Sequence, residues 1–296
     1  MWIPITLAAA TFQILRTARQ HELRRVLDVI PAGFVRYAYG LPLAIVAALV
    51  TFVVAGQDVP AIPARFWPII AGAGVAQILG TVALLRSFQI RDFAIGTIYA
   101  KTEVVLVAVV STVALGETLR PLGWVSAVVC VVGVAWLAAP DSFGDSLRNA
   151  GDPAALMGML AALGFAVAAT GIRAASNSLG DEPTWNRAIL TLTAMLTIQT
   201  ALNGAQLGAS DRPGLVAVFT NWRAAIPVGI LSLAGSAAWA TAITLTSATQ
   251  VRTLGQVELV LAFAISAFWL RERHARAEYA ASALVLLGVT GVIVLG

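Results

Sequence analysis

The sequence predicts an all-α integral membrane protein of ten transmembrane helices, built as two inverted five-helix repeats, and three observations carry that prediction. Of the 296 residues, 59% are hydrophobic and only 11% are charged, against roughly 45–50% apolar residues in an ordinary soluble domain. Uncharged stretches at 37–57, 66–85, 121–140, 153–172, 188–210, 224–251 and 279–296 match the roughly 20 residues that cross a bilayer's hydrocarbon. The chain also repeats its own pattern. A constant shift of 155 residues places Glu103 on Glu258, Ser111 on Ser266, Glu117 on Glu272, Trp67 on Trp222, Gly80 on Gly235 and Gly133 on Gly288 without a gap.

Ten spans account for almost every residue: about 2–19, 31–55, 65–87, 92–115, 121–139, 153–175, 184–208, 221–246, 251–270 and 276–295. They must be helices, because lipid offers no partner to an unpaired backbone group, and uniformly apolar runs lack the alternation of a barrel. In the first span the arginines Arg16, Arg19, Arg24 and Arg25 follow the apolar stretch. A cleaved signal peptide carries its positive charge in front, so this segment is expected to be retained. Spans two and three are separated by AGQDVPAIPA, and spans seven and eight by GASDRPG, both marked by Gly, Pro and Asp. Spans five and six open on Pro121 and Pro153, at first-turn positions where a missing N–H costs little.

The longest polar linker, 141–152, separates a first repeat at 1–140 from a second at 153–296. Five spans precede it and five follow, and an odd number per copy forces the copies into opposite orientations. Early in each half the offset shifts to 151, where Phe34 and Arg36 meet Trp185 and Arg187. Loops after the odd-numbered spans hold 12 arginines, whereas Arg65, Arg120, Arg173 and Arg252 lie on the other side. That three-to-one bias puts both termini outside the cytoplasm.

The net charge is +4, but the basic residues stand singly between apolar spans and form no nucleic-acid-binding stripe. Cys130 is the single cysteine, so no intrachain disulfide and no cysteine metal site is expected. His21 and His274 lie in loops, and no H-E-x-x-H, G-x-S-x-G or Walker A pattern occurs, which argues against an enzyme and against ATP-driven transport. No cofactor is expected. The expected partners are the lipid bilayer and a small-molecule substrate, with protons as the candidate coupling ion and a monomer or homodimer as the working unit.

The candidate site centres on YAKTEVVLVAVVSTVALGE (99–117) and its copy LGQVELVLAFAISAFWLRE (254–272). Each places a carboxylate, Glu103 or Glu258, near the middle of an apolar span, where insertion costs a few kcal/mol. Such a group must face a cavity or a partner. Desolvation favours a carboxyl that holds a proton, which a cationic substrate can displace. Lys101 is the chain's single lysine. It sits on nearly the opposite helix face from Glu103 and so is expected to bind an anion, to pair with a carboxylate from another span, or to snorkel. Gln256 takes its place in the second repeat. Arg36 and Arg187 fit either snorkelling or capture of a carboxylate or phosphate. Gln13, Gln77, Tyr99 and Trp239 are candidate cavity lining, with Arg16 beside Gln13. Glu117 and Glu272 are expected to hold turns at helix ends. Gly72, Gly74, Gly80, Gly133, Gly229, Gly235, Gly288 and Gly291 are expected to allow close helix contact.

LGETLRPLGWVSAVVCVVGVAWL and LRERHARAEYAASALVLLGVTGVIVL resemble the repeat ends of the EamA-type drug/metabolite transporter superfamily. Each has an apolar helix ending in Glu, a short turn, then a glycine-containing helix. The segments before them, ALLRSFQIRDFAIGTIYAKTEVV and AITLTSATQVRTLGQVELV, are similar to the family's turn between third and fourth helices. The resemblance implies two tandem five-helix repeats, with four helices of each around a midplane cavity and spans five and ten outside it. It also implies transport of a small metabolite or amphipathic cation across an inner or plasma membrane, or of a nucleotide-linked or lipid-linked sugar. An intramembrane enzyme and a non-transporting scaffold are the readings of other classes. Where the family often carries proline just after these glutamates, this chain has Val104 and Leu259, so no proline is present to kink either helix.

Overall fold

The computed structural model describes residues 1–23, 25–90, 99–138, 144, 153–264 and 276–296. The linker at 141–152, apart from Gly144, and the expectations placed on Arg24, Arg91, Arg148, Ser266, Arg271, Glu272, Arg273 and His274 lie outside the described residues. Those residues form helices and no strand. Among the described residues six helical stretches are long and apolar enough to cross a membrane: Ile30–Val54, Phe66–Ser87, Pro153–Ser178, Thr184–Ser210, Trp222–Leu245 and Arg276–Leu295. Two shorter apolar helices, Glu103–Leu115 and Pro121–Leu137, join them. Large apolar side chains stand bare on these helices, Val113 at 83% and Leu287 at 67% exposure. Such surfaces suit lipid and would aggregate in water. The protein is an all-α integral membrane protein.

In chain order the helices are α1 (Trp2–Leu23), α2 (Val29–Ala38), α3 (Gly40–Leu49), α4 (Phe66–Ile90), α5 (Glu103–Leu115), α6 (Pro121–Ala138) and α7 (Pro153–Ser178). They continue as α8 (Thr184–Ser210), α9 (Arg212–Thr220), α10 (Trp222–Leu245), α11 (Ala248–Gly255), α12 (Val257–Ala264) and α13 (Arg276–Leu295). The expected span at 31–55 is present as Ile30–Val54, with an interruption inside it at Tyr39. Pro42 lacks the N–H that would reach the Ala38 carbonyl, and its ring crowds that carbonyl, so α2 stops at Ala38 and α3 restarts at Gly40. A π-helical turn, Val50–Val54, ends the segment. The linker GASDRPG is helical rather than a loop over α9. Asp211 caps it by accepting a hydrogen bond from the Gly214 N–H at 2.9 Å, and Pro213 fits the first turn. Asp211→Ala is expected to cost about 1 kcal/mol, read as a lower melting midpoint.

The helices gather into two compact units. The first contains 1–74 and 172–245. Its core joins Leu23, Phe34 and Tyr37 from one stretch to Leu192, Leu207 and Val228 from the other. Tyr39, at the α2–α3 break, donates from its hydroxyl to the Val218 carbonyl at 3.0 Å. A Cβ on Gly229 would collide with the Tyr39 side chain, so glycine is what lets α10 lie against the break.

The second unit contains 75–171 and 246–296. Its tightest contact is between α6 and α13, and it is reciprocal. A Cβ on Gly133 would stand 2.7 Å from the Val285 nitrogen, and one on Gly288 would collide with the backbone of Cys130. Position 133 shifted by 155 is 288, and 285 shifted back is 130. As the residue number falls on α6 it rises on α13, so the two helices are antiparallel. Val104, Ala108 and Leu119 pack on Ala127 and Val292 beside this pair. Ser111 and Thr170 share a buried hydroxyl–hydroxyl hydrogen bond at 3.0 Å.

The glycine expectation needs one correction. Gly72 is exposed, and a Cβ there would meet nothing within 4 Å. It stands on the bare face of α4, whereas Gly74, two residues on, meets Gln199 at 3.6 Å. Neighbouring glycines on one helix point to different faces, and the sequence alone does not say which face is packed.

Candidate functional site

The second unit holds a cluster of four charged side chains at two breaks in the helices. Tyr99 and Ala100 are helical, Lys101 and Thr102 form a turn, and α5 starts at Glu103. In the other stretch α11 ends at Gly255, Gln256 forms the turn, and α12 starts at Val257. The same i→i−3 bond recurs at both breaks. Val104 N–H donates to the Lys101 carbonyl at 3.5 Å, and Leu259 N–H donates to the Gln256 carbonyl at 3.1 Å. These two bonds are 155 residues apart. Thr102 reinforces the first break by donating from its hydroxyl to the Tyr99 carbonyl at 2.6 Å. The breaks form without proline because i→i−3 bonds and a side-chain hydroxyl take over the backbone groups that an α-helix would pair.

This geometry refines the local setting of the glutamates within their spans. Neither lies in the middle of a continuous helix. Glu103 and Glu258 both occupy the first turn of a helix, where unpaired N–H groups and the positive end of the helix dipole favour a carboxylate. Arg252 lies in the last turn of α11, where the negative end favours a cation.

The charges pair across the two sequence halves. Lys101 donates from Nζ to Glu258 Oε1 at 3.3 Å, with the side chains 18% and 17% exposed. Of the roles open to Lys101 in the sequence, the structure takes the pair with a carboxylate from another span. Arg252 Nε lies 3.3 Å from Glu103 Oε1, with exposures of 16% and 13%. This second pair is within ion-pair distance but is not aligned as a hydrogen bond, and both atoms are buried. At 3.3 Å each pair attracts by about 5 kcal/mol in a protein-like dielectric, and removing each ion from water costs several kcal/mol. Having the pairs therefore adds little stability. Breaking one is costly, because the remaining charge is left buried.

Arg252 is the residue that sequence reasoning missed. At the very start of span nine it reads as one of the arginines flanking a loop. A signal was present. Ser247 and Gln250 fit a capping box, and the Gln250 N–H donates to Ser247 Oγ at 3.2 Å. That cap starts α11 at Ala248 and places Arg252 inside the helix.

The other candidates are distributed as follows. Gln256 is buried at 7% exposure, and its Nε2 donates to the Arg252 carbonyl at 3.2 Å. Tyr99 is buried and Gln77 is half-buried on α4; both belong to the second unit. Gln13, Trp239, Arg36 and Arg187 belong to the first. There Trp239 Nε1 donates to Gln13 Oε1 at 3.2 Å. Arg36 lies over the ring of its neighbour Tyr37, 4.9 Å from the centroid. Arg187 is half-buried in the first turn of α8, and its Nε has no hydrogen bond among the described residues. Glu117 follows Gly116, whose φ of 69° ends α5. The Glu117 N–H reaches back to the Ser111 carbonyl at 3.3 Å, a Schellman-type closure made by backbone. Among the described residues no group of three His, Cys, Asp or Glu is placed to hold a metal ion.

Residues 152–294 match the model of the EamA-like transporter family. The likeness to that family is confined to this segment, just under half of the chain. The match extends from the start of α7 through α13 and includes Arg252, Gln256 and Glu258. Among solved structures the chain is similar to a protein known by its crystal structure, with 18% identity and a TM-score of 0.73 over 99% of this chain and 96% of that one. At that identity the likeness is one of fold. No curated protein matches the chain. The membrane-length helices and their bare apolar faces make this an integral, multi-pass membrane protein.

Proposed function

We propose that the chain is a ten-helix secondary transporter, built as two inverted five-helix repeats, that exports a small metabolite or amphipathic cation across an inner or plasma membrane by alternating access. The observation that carries this reading is the crossed pairing at the two helix breaks. The carboxylate of each half is neutralised by a cation of the other, so any movement between the halves must remake those pairs. Discontinuous helices with their ends turned toward charged groups are where inverted-repeat transporters bind substrates and coupling ions. Protonation of Glu103 would release its cation, which gives protons a route to drive the cycle. The reciprocal, antiparallel contact of α6 with α13 supports the inverted repeat. Setting Arg252 apart as a site residue leaves 12 arginines against 3 in the two sets of loops, which supports termini outside the cytoplasm.

A sugar carrier of the same fold is the second reading. Arg187 favours it, as a half-buried cation able to hold a phosphate. The test is uptake into liposomes containing the purified protein, with a proton gradient in either direction, challenged with amino acids, organic cations and nucleotide sugars. Saturable accumulation above protein-free liposomes is expected for a cationic or zwitterionic solute. Accumulation of nucleotide sugars alone would favour the second reading, and no accumulation of any class would contradict both.

A further inference from the structure

The two glutamates occupy equivalent positions in the repeats but differ in how they are held. Glu258 is held by a hydrogen-bonded ion pair with Lys101. Glu103 has charge compensation from Arg252 at 3.3 Å, but its Oε1 is buried and accepts no hydrogen bond among the described residues. Gln256 adds a second such acceptor. Its Nε2 donates to the Arg252 carbonyl, and because a carbonyl can only accept, that bond fixes which end of the amide is the nitrogen. Its Oε1 is buried and also accepts nothing among the described residues. Arg252 links the two, with its side chain against Glu103 and its carbonyl against Gln256. Buried acceptors in a native protein almost always have donors.

We infer that Glu103 and Gln256 form the receiving site for a primary ammonium group, whereas Glu258 is a structural carboxylate locked by Lys101. This rests on the transporter reading and assigns its two carboxylates different work. A primary ammonium brings both what the site lacks and what it can exchange. Its N–H groups donate to Glu103 Oε1 and Gln256 Oε1, and its charge takes over the compensation that Arg252 supplies without a hydrogen bond. A quaternary ammonium has the charge but no N–H, and an alcohol has a donor but no charge. Hydrogen bonds to charged groups are strong enough that their loss is expected to weaken binding about tenfold to a hundredfold.

The experiment is calorimetric titration of the purified full-length protein in detergent with three probes: n-butylammonium, butyltrimethylammonium and butanol. Butylammonium is expected to bind at least tenfold more tightly than the other two. Glu103→Gln should abolish that preference, and Gln256→Leu should reduce it about tenfold by removing the second acceptor. Glu258→Gln is expected to lower the melting midpoint, and the exchanged pair Lys101→Glu with Glu258→Lys to restore it while the preference for butylammonium persists. Equal binding of the primary and quaternary probes would overturn the inference. So would loss of binding in Glu258→Gln matching that in Glu103→Gln, or no binding of any probe. Solute accumulation in liposomes in the face of any of these results would leave the transporter reading standing.

Discussion

Gly288→Leu is expected to deprive the protein of most of its stability in detergent. A single Cβ at this position already collides with the Cys130 nitrogen and Cα, and backbone atoms cannot rotate out of the way as a side chain can. Accommodating a leucine requires α6 and α13 to part along their length, which forfeits the van der Waals contact that holds helices together in lipid. Overpacking of a tight contact costs about 1–3 kcal/mol even where neighbours can shift, and here they cannot. Gly133→Leu should behave alike, with the Val285 nitrogen 2.7 Å from its Cβ. Gly72→Leu supplies the contrast, because its Cβ meets open space, and it should stay within about 0.5 kcal/mol of the parent. The measurement is the melting midpoint and the yield of monodisperse protein. A Gly288→Leu protein melting with the parent would mean that α6 and α13 are not in this contact.

The second large effect is expected at Lys101. Lys101→Met leaves the Glu258 carboxylate without its hydrogen-bonded counter-ion in a site 17% exposed, and removing one partner of a buried pair typically costs about 3 kcal/mol or more. Replacing both, Lys101→Met with Glu258→Met, removes the buried carboxylate together with its counter-ion and should recover most of that loss. Thermal unfolding of the two single variants and the double variant forms a thermodynamic cycle. A coupling above about 1 kcal/mol is expected, and additive losses would mean that the two side chains do not depend on each other.

Much of the fold is legible in the sequence because lipid imposes one demand on every span. The helices start and stop close to where the apolar runs do, since a charged or Gly-Pro-Asp segment cannot remain in hydrocarbon. What the sequence hides is where a helix breaks inside an apolar run. The Pro42 break has a visible cause, but those at Lys101–Thr102 and Gln256 depend on i→i−3 bonds and on the Thr102 hydroxyl, which leave no proline to notice. The helix α9 hides in a segment that reads as a turn, although Asp211 and Pro213 carry its cap and first turn. The constant shift of 155 singles out Glu103 and Glu258, but it cannot give the partner of either, because pairing joins positions that the shift does not relate. Arg252 pairs with Glu103 from six residues before Glu258, and Lys101 pairs with Glu258 from two residues before Glu103.

In the proposed function this charge cluster is the working site of a transporter. The most direct test is the substrate-evoked current of the purified protein in liposomes on a solid-supported membrane, comparing the parent with Glu103→Gln at several pH values. A pH-dependent current is expected in the parent and is expected to disappear in Glu103→Gln while the variant remains folded. A current of unchanged size and pH dependence in Glu103→Gln would contradict it.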